Sequence, residues 1–197
     1  MSDQLFDADD GANTPLTPAE REGLIPTYIT TRAELNEAEQ ENIGEAIQWA
    51  FARKRAGAVD VNMLTALHRR MLRRVWRWAG QFRTTERNIG LSPRQIEVAL
   101  HQLLGDVRYW IEHATYPPDE IAVRFHHRLV AIHPFPNGNG RHARLAADLL
   151  IVQLGGARFT WGRENLVEPA ATRAAYVQAL RSADQHDIQP MLAFARS

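Results

Sequence analysis

Residues 133–144 read HPFPNGNGRHAR, and nearly every position in that stretch could take part in chemistry. His133 could accept a proton from an incoming hydroxyl, and positive surroundings would keep its imidazole neutral, as a base requires. Gly138 and Gly140 flank Asn139. Glycine permits positive φ and lets backbone N–H groups turn toward one point, and a helix starting there adds its dipole, so the loop reads as an anion nest. Arg141 and Arg144 lie three apart, on one face of that helix, and each offers a planar fork to phosphate oxygens. The sum is a di- or triphosphate site beside a base, which fits phosphoryl or nucleotidyl transfer, where positioning and charge neutralisation do most of the work. Taken singly, these features have ordinary explanations: a turn, a helix cap, a solvated pair of arginines. Their coincidence in twelve residues is what carries weight. One position departs from the logic. Asn137 stands where an acid would make more chemical sense.

Helices must position this loop. Upstream, EIAVRFHHRLVAI is apolar on most sides and predicts a central helix that runs into His133; downstream, RHARLAADLLIVQLGG predicts a second, ending at Gly155-Gly156. TPAE and TRAE are capping boxes, with Thr17 and Thr31 as caps and Glu20 and Glu34 reaching back. The second opens a helix to about Arg55. NMLTALHRRMLRRVWRWAG puts Leu64, Leu67, His68, Met71 and Val75 on one face. SPRQ reads as a further capping box opening a helix to about His113. Thr84, Thr85, Glu86, Arg87, Asn88, Ile89 and Gly90 break the helical pattern and suggest a small β-hairpin flap. Two more helices are expected, at about Thr172–Ala183 and near Met191. The fold class is all-α with one small flap. Residues 1 to about 16, rich in Asp, Gly, Asn and Pro, read as a flexible acidic arm, and 17–197 as one domain.

Composition narrows the function. Lys plus Arg and Asp plus Glu both number 23, so no net charge points to nucleic acid, and the arginine-rich RRMLRR reads as a solvated helix face. The absence of cysteine excludes disulfides, thiolate nucleophiles and cysteine-bound zinc, and none of the eight histidines has a convincing zinc spacing. No apolar run reaches membrane-spanning length and the N-terminus is no signal peptide, so the cytoplasm is the expected compartment. Trp76, Trp78, Trp110 and Trp161 read as core or interface anchors.

HPFPNGNGRHAR resembles the signature of Fic (Fic/Doc, Fido) domains, His-x-Phe-x-acid-Gly-Asn-Gly-Arg-x-x-Arg, matching every fixed position except the acid, which is Asn137 here. HRRMLRRVWRWAGQFRTTERNIG and YVQALRSADQHDIQPMLAFAR are similar to the family's flap region and last helices, and the resemblance runs over about residues 18–197. Within the family the chain looks most like the mobile mystery protein B branch from bacterial mobile elements. The resemblance implies a helical Fic bundle that moves AMP from ATP to a Ser, Thr or Tyr hydroxyl of a target protein, with Mg²⁺ at the acid position and Asn137 as a poor substitute. It implies His133 as base, Gly138, Asn139 and Gly140 as anion hole, Arg141 on phosphates, Arg144 on the γ-phosphate, and the flap (84–90) pairing with a target strand. It also implies an inhibitory helix at about 31–43, whose Glu41 in EAEQEN would pair with Arg144, and a toxin–antitoxin-like setting with a small helix-turn-helix partner. Another nucleotidyl- or phosphotransferase with an altered donor, and a non-catalytic nucleotide-binding interaction module, are the competing readings.

Overall fold

The computed structural model describes residues 16–52, 59–162 and 169–197. Among these described residues eight α-helices follow in order: α1 (Pro18–Arg21), α2 (Arg32–Ala52), α3 (Val61–Leu72), α4 (Ile96–Glu112), α5 (Pro118–Ile132), α6 (Asn139–Gln153), α7 (Pro169–Asp184) and α8 (Gln189–Arg196). No β-hairpin occurs among the described residues; the isolated antiparallel bridge between Leu24 and Trp76 is the strand-like pairing present there. The expected arm falls on residues 1–15, outside the described residues, but Leu16 is buried and belongs to the folded unit.

α5 and α6 pack on each other at the centre, with α4 against α5, α2 against α3, and α7 against α8. α6 is buried on almost every side, from His142 and Ala143 through Leu145–Ile151, polar His142 and Asp148 included. Its alanines at 143, 146 and 147 admit close neighbours. α5 buries Ile121, Ala122, Val123, Phe125, His126, Leu129 and Ile132. α3 buries the stripe Leu64, Leu67, His68 and Met71 together with Leu72, and Val75 lies buried in the turns beyond the helix end. The stripe of α2 is unusual. Leu35, Ala46 and Ala50 are buried, but so are Glu39 and Asn42.

The helix starts follow local chemistry. Thr17 and Glu20 form the reciprocal capping box expected of them. Thr31 and Glu34 do the same, with Thr31 N donating to Glu34 at 2.9 Å and Glu34 N donating to Thr31 Oγ1 at 3.2 Å. The third box does not form. Ser92 makes no side-chain cap, and its hydroxyl instead donates to Glu86 at 2.9 Å; a short 3-10 turn, Pro93–Gln95, leads into α4. α4 buries Ile96, Leu100, Leu103, Leu104 and Val107, with Ala99 half-buried and Ile111 exposed near the helix end.

The flap, 84–90, is irregular rather than a hairpin. A hairpin satisfies its carbonyls by cross-strand N–H groups. Here the buried Arg83 guanidinium takes that place, donating to the carbonyls of Thr85 (2.9 Å) and Leu91. Cross-strand bonding is therefore replaced by a single side chain at the base of the loop.

Asp148 of α6 fixes the connection toward α7. It accepts from Trp161 Nε1 at 2.9 Å and from Phe159 N at 3.3 Å, and Arg158 pairs with it at 3.3 Å. Asp148→Ala leaves two buried N–H donors without an acceptor and is expected to cost roughly 3 kcal/mol, read as a lower urea midpoint at unchanged slope. An unchanged midpoint would show that the connection finds other partners.

Candidate active site

His133 caps the C-terminus of α5 in the left-handed conformation, φ 54°, which turns the chain off the helix axis. The loop that follows is closed by one side chain. The Asn139 carboxamide accepts from Phe135 N at 2.9 Å and donates to Phe135 O at 2.8 Å. Asn139 is therefore a buried staple of the loop, and only its main chain faces the anion nest that the resemblance implied. Gly138 sits at φ 77° as the N-cap of α6, and a Cβ there would lie 3.0 Å from Leu72 Cδ1. No side chain caps this helix start, so the first-turn amides of Asn139, Gly140 and Arg141 add the positive end of the α6 dipole.

Behind the loop lies His68. Its Nδ1 accepts from Gly80 N at 2.9 Å, which fixes the proton on Nε2, and Nε2–H donates to the Asn137 carbonyl at 3.0 Å. Its ring is stacked on Phe135 at 3.7 Å between centroids and 10° between planes. His142 meets the edge of Phe135 and donates from Nε2 to Leu64 O at 2.9 Å. The Asn137 side-chain oxygen accepts from Gly138 N at 2.6 Å. The one Asn137 atom suited to a metal thus already serves the loop, and no group of three or more His, Asp or Glu that could hold a metal exists among the described residues. These residues do not by themselves build a Mg²⁺ site.

The arginines are both held. Arg141 Nη1 donates to Glu39 Oε2 at 2.6 Å, and Trp76 Nε1 donates to Glu39 Oε1 at 2.7 Å, so both carboxylate oxygens are engaged. Glu41, the expected inhibitory residue, is exposed on α2. Two residues turn a helix by about 200°, which sends Glu39 and Glu41 to nearly opposite sides. The carboxylate that reaches the motif is therefore Glu39, and it reaches Arg141 rather than Arg144. Arg144 lies over the Tyr176 ring at 5.1 Å, and the Tyr176 hydroxyl shares a hydrogen bond with His126 Nε2 at 3.1 Å. Burial pushes the Tyr176 phenol up to about 12.

The flap runs beside the histidine. Gly90, at φ 93°, passes so close that a Cβ would stand 2.5 Å from His133 Cβ. Thr84, Thr85, Glu86, Asn88 and Ile89 are exposed; Arg87 turns inward and pairs with Glu20 of α1, their side chains 5% and 14% exposed. The structure thus places the flap beside His133 and both arginines on the first turns of the helix that follows the glycine loop. Glu39, His68, Arg83, Tyr176 and Glu20 come in addition. For Glu39 the one signal in the sequence is weak: it lies four residues after Leu35, on a helix too polar for its buried side to stand out. The others gave none.

An all-α fold turning on a histidine–glycine–arginine loop at the junction of its two central helices is the class these observations define. Residues 58–151 match the model of the Fic/DOC family, and that stretch is a Fic/DOC domain. The protein adenylyltransferase fic-1 of Caenorhabditis elegans is 31% identical over 141 residues, covering 69% of this chain and 26% of that protein. The chain thus spans about a quarter of the length of the curated relatives it matches. The solved structure of C. elegans Fic-1 superposes with a TM-score of 0.62 at 25% identity, covering 89% of this chain and 50% of the other. BepC of Bartonella tribocorum, solved with AMPPNP bound, shares the fold with a TM-score of 0.65 at 19% identity, over 91% and 97% of the two chains. No helix among the described residues is long and apolar enough to cross a membrane.

Four histidines at this site are buried and held neutral. Burial is the main cause in each, taking His126 down to about 3, and His133 and His142 to about 4. For His133, repulsion from Arg83 and Arg87 adds to burial and a backbone hydrogen bond at Val130 opposes it. His68 is depressed by burial and then by His142. The sign follows directly. Above about pH 6.5 both folded and unfolded chains hold neutral imidazoles, and nothing is lost. As pH falls below that value the unfolded chain takes up protons that the folded chain refuses, costing about 1.4 kcal/mol per pH unit for each histidine until its folded value is reached. Stability is therefore expected to fall steeply between pH 6.5 and 5. Urea midpoints at pH 7.5, 6.5 and 5.5 check this, and a flat series would contradict it.

Proposed function

We propose that this chain is a protein adenylyltransferase, moving AMP from ATP to a side-chain hydroxyl of a target protein, and that it is held back by Glu39. One observation carries the reading: a neutral, buried His133 beside the uncapped N-terminus of α6, from whose first turns Arg141 and Arg144 project. The distant similarity to adenylyltransferases supports it.

Each residue has a role in this reading. The first-turn amides and Arg141 hold phosphate oxygens, and Arg144 on its Tyr176 shelf meets the outer phosphate. The exposed residues of 84–90 present the target segment. His133 takes the proton from the target hydroxyl as its oxygen attacks the α-phosphorus; the new O–P bond forms, the bond to the bridging oxygen breaks, and pyrophosphate leaves. Its depressed pKa keeps it ready to accept at neutral pH. Glu39 occupies the Arg141 fork that a phosphate would need, so nucleotide and carboxylate compete for one cation. Because Glu39 is buried and doubly bonded, removing it vacates the fork, whereas removing the exposed Glu41 leaves the fork occupied.

Intact mass after incubation with ATP and Mg²⁺ tests this. Glu39→Gly is expected to gain one adenylyl group on itself or on added lysate protein, well above wild type, and Glu41→Gly to behave as wild type. His133→Ala on the Glu39→Gly background is expected to lower the rate by about 10²–10⁴-fold, the range of a positioned general base. Retention of full transfer without His133 would remove the proposed base. If the label on ATP reaches the target only from the γ-position, the protein is a phosphotransferase instead.

Asn137 generates a second expectation. Asn137→Asp supplies the charge that a divalent cation prefers and is expected to strengthen ATP binding in Mg²⁺ on the order of tenfold, the effect of about 1.4 kcal/mol, with no gain in EDTA. Calorimetric titration with and without the chelator reads this; equal affinities in the two proteins would count against a metal at this position.

A further inference from the structure

Arg83 has no role in the chemistry proposed above, yet it is 2% exposed and occupies the ground between the base and the flap. All three of its side-chain nitrogen groups are used on main-chain carbonyls. Nε donates to His133 O at 2.7 Å, Nη1 to Thr85 O at 2.9 Å, and Nη2 to Leu91 O. Its own main-chain N donates to Pro134 O at 2.9 Å, and Leu91 N donates to Ile132 O at 3.3 Å. One planar fork therefore ties together the carbonyl of the candidate base, the start of the flap and its end. Gly90 fills the remaining space against His133, where a side chain would not fit. The arrangement suits arginine alone. A lysine has the charge but a single donor centre, and it cannot reach three carbonyls in one plane.

We propose that Arg83 is a positioning residue that makes His133 and residues 85–91 one mechanical unit, so that a target segment laid along the flap meets a base already held at the right distance. What the base and target do rests on the adenylyl-transfer reading; the coupling itself does not. The charge has a second consequence. Arg83 and Arg87 are the cations that face His133, and Glu86 and Glu20 face those arginines. Losing Arg83 therefore removes a repulsion that helps keep the imidazole neutral.

Arg83→Met and Arg83→Lys separate fork from charge. Amide hydrogen exchange of residues 84–91 is expected to accelerate about tenfold or more in both, the effect of losing a charge-assisted hydrogen bond, while α5 and α6 amides keep their protection. The His133 ring, followed by NMR, is expected to titrate at higher pH in Arg83→Met and to stay low in Arg83→Lys. On the Glu39→Gly background, KM for ATP should change less than twofold while turnover falls roughly tenfold, a split that places the loss in the orientation of the base. Unchanged exchange across 84–91 in either variant, or exchange raised equally in the core helices, would overturn the proposal. Should Arg83→Met not fold, Arg83→Lys carries the exchange comparison by itself. If the Glu39→Gly protein transfers nothing at all, the activity reading fails, and exchange and titration still decide the role of Arg83.

Discussion

The turn between α5 and α6 is the constraint on which the rest depends. Two helices from the centre of the core must be joined within six residues, 133–138, and the first four of these are buried, where main-chain groups need partners from the protein. Asn139 answers by pairing its carboxamide with both polar groups of Phe135. His68 answers for Asn137 from a different helix, and Phe135 meets one imidazole on its face and another at its edge. The geometry of the joint, a left-handed histidine followed by a left-handed glycine and an uncapped helix start, is thus enforced by side chains buried in the core around it.

That arrangement explains why four histidines around the site are uncharged. Each ring packs into the core; His68 and His142 bond main-chain groups, and His126 bonds the Tyr176 hydroxyl. The local field at the loop is then set by Arg83, Arg87, Arg141 and Arg144 against Glu20 and Glu39. In such a field the occupant of the Arg141 fork matters more than any single histidine, and Glu39 is that occupant.

The sequence makes the helices legible because their signals are local. Capping boxes at Thr17 and Thr31 and the stripe from Leu64 to Val75 need nothing from the rest of the chain. Ser92 shows the limit: its cap geometry is available, but Glu86 takes the hydroxyl. The flap shows it again. Ile89 and Gly90 suit a hairpin, but Arg83 had already satisfied the carbonyls a ladder would use. The motif itself is legible because six functional residues sit in one window. Glu39 was not found because the choice between it and Glu41 turns on which side of α2 faces the core, and α2 is too polar for its stripe to announce that side. Tyr176 and His68 are brought to the motif by tertiary packing, and no spacing rule connects them with residues so far away in the chain.

Glu20 serves two masters. Its carboxylate accepts from Thr17 N at 2.8 Å to complete the first capping box, and the same oxygens hold Arg87 in the flap. The two ends of that contact are separated by most of seventy residues, yet they draw on one functional group. By linkage, whatever orders the first helix must also order the flap, and whatever grips the flap must tighten the first helix to the same degree. A target segment lying along residues 84–90 would therefore be felt at Thr17, and sequence drift in a four-residue helix would be felt at the flap.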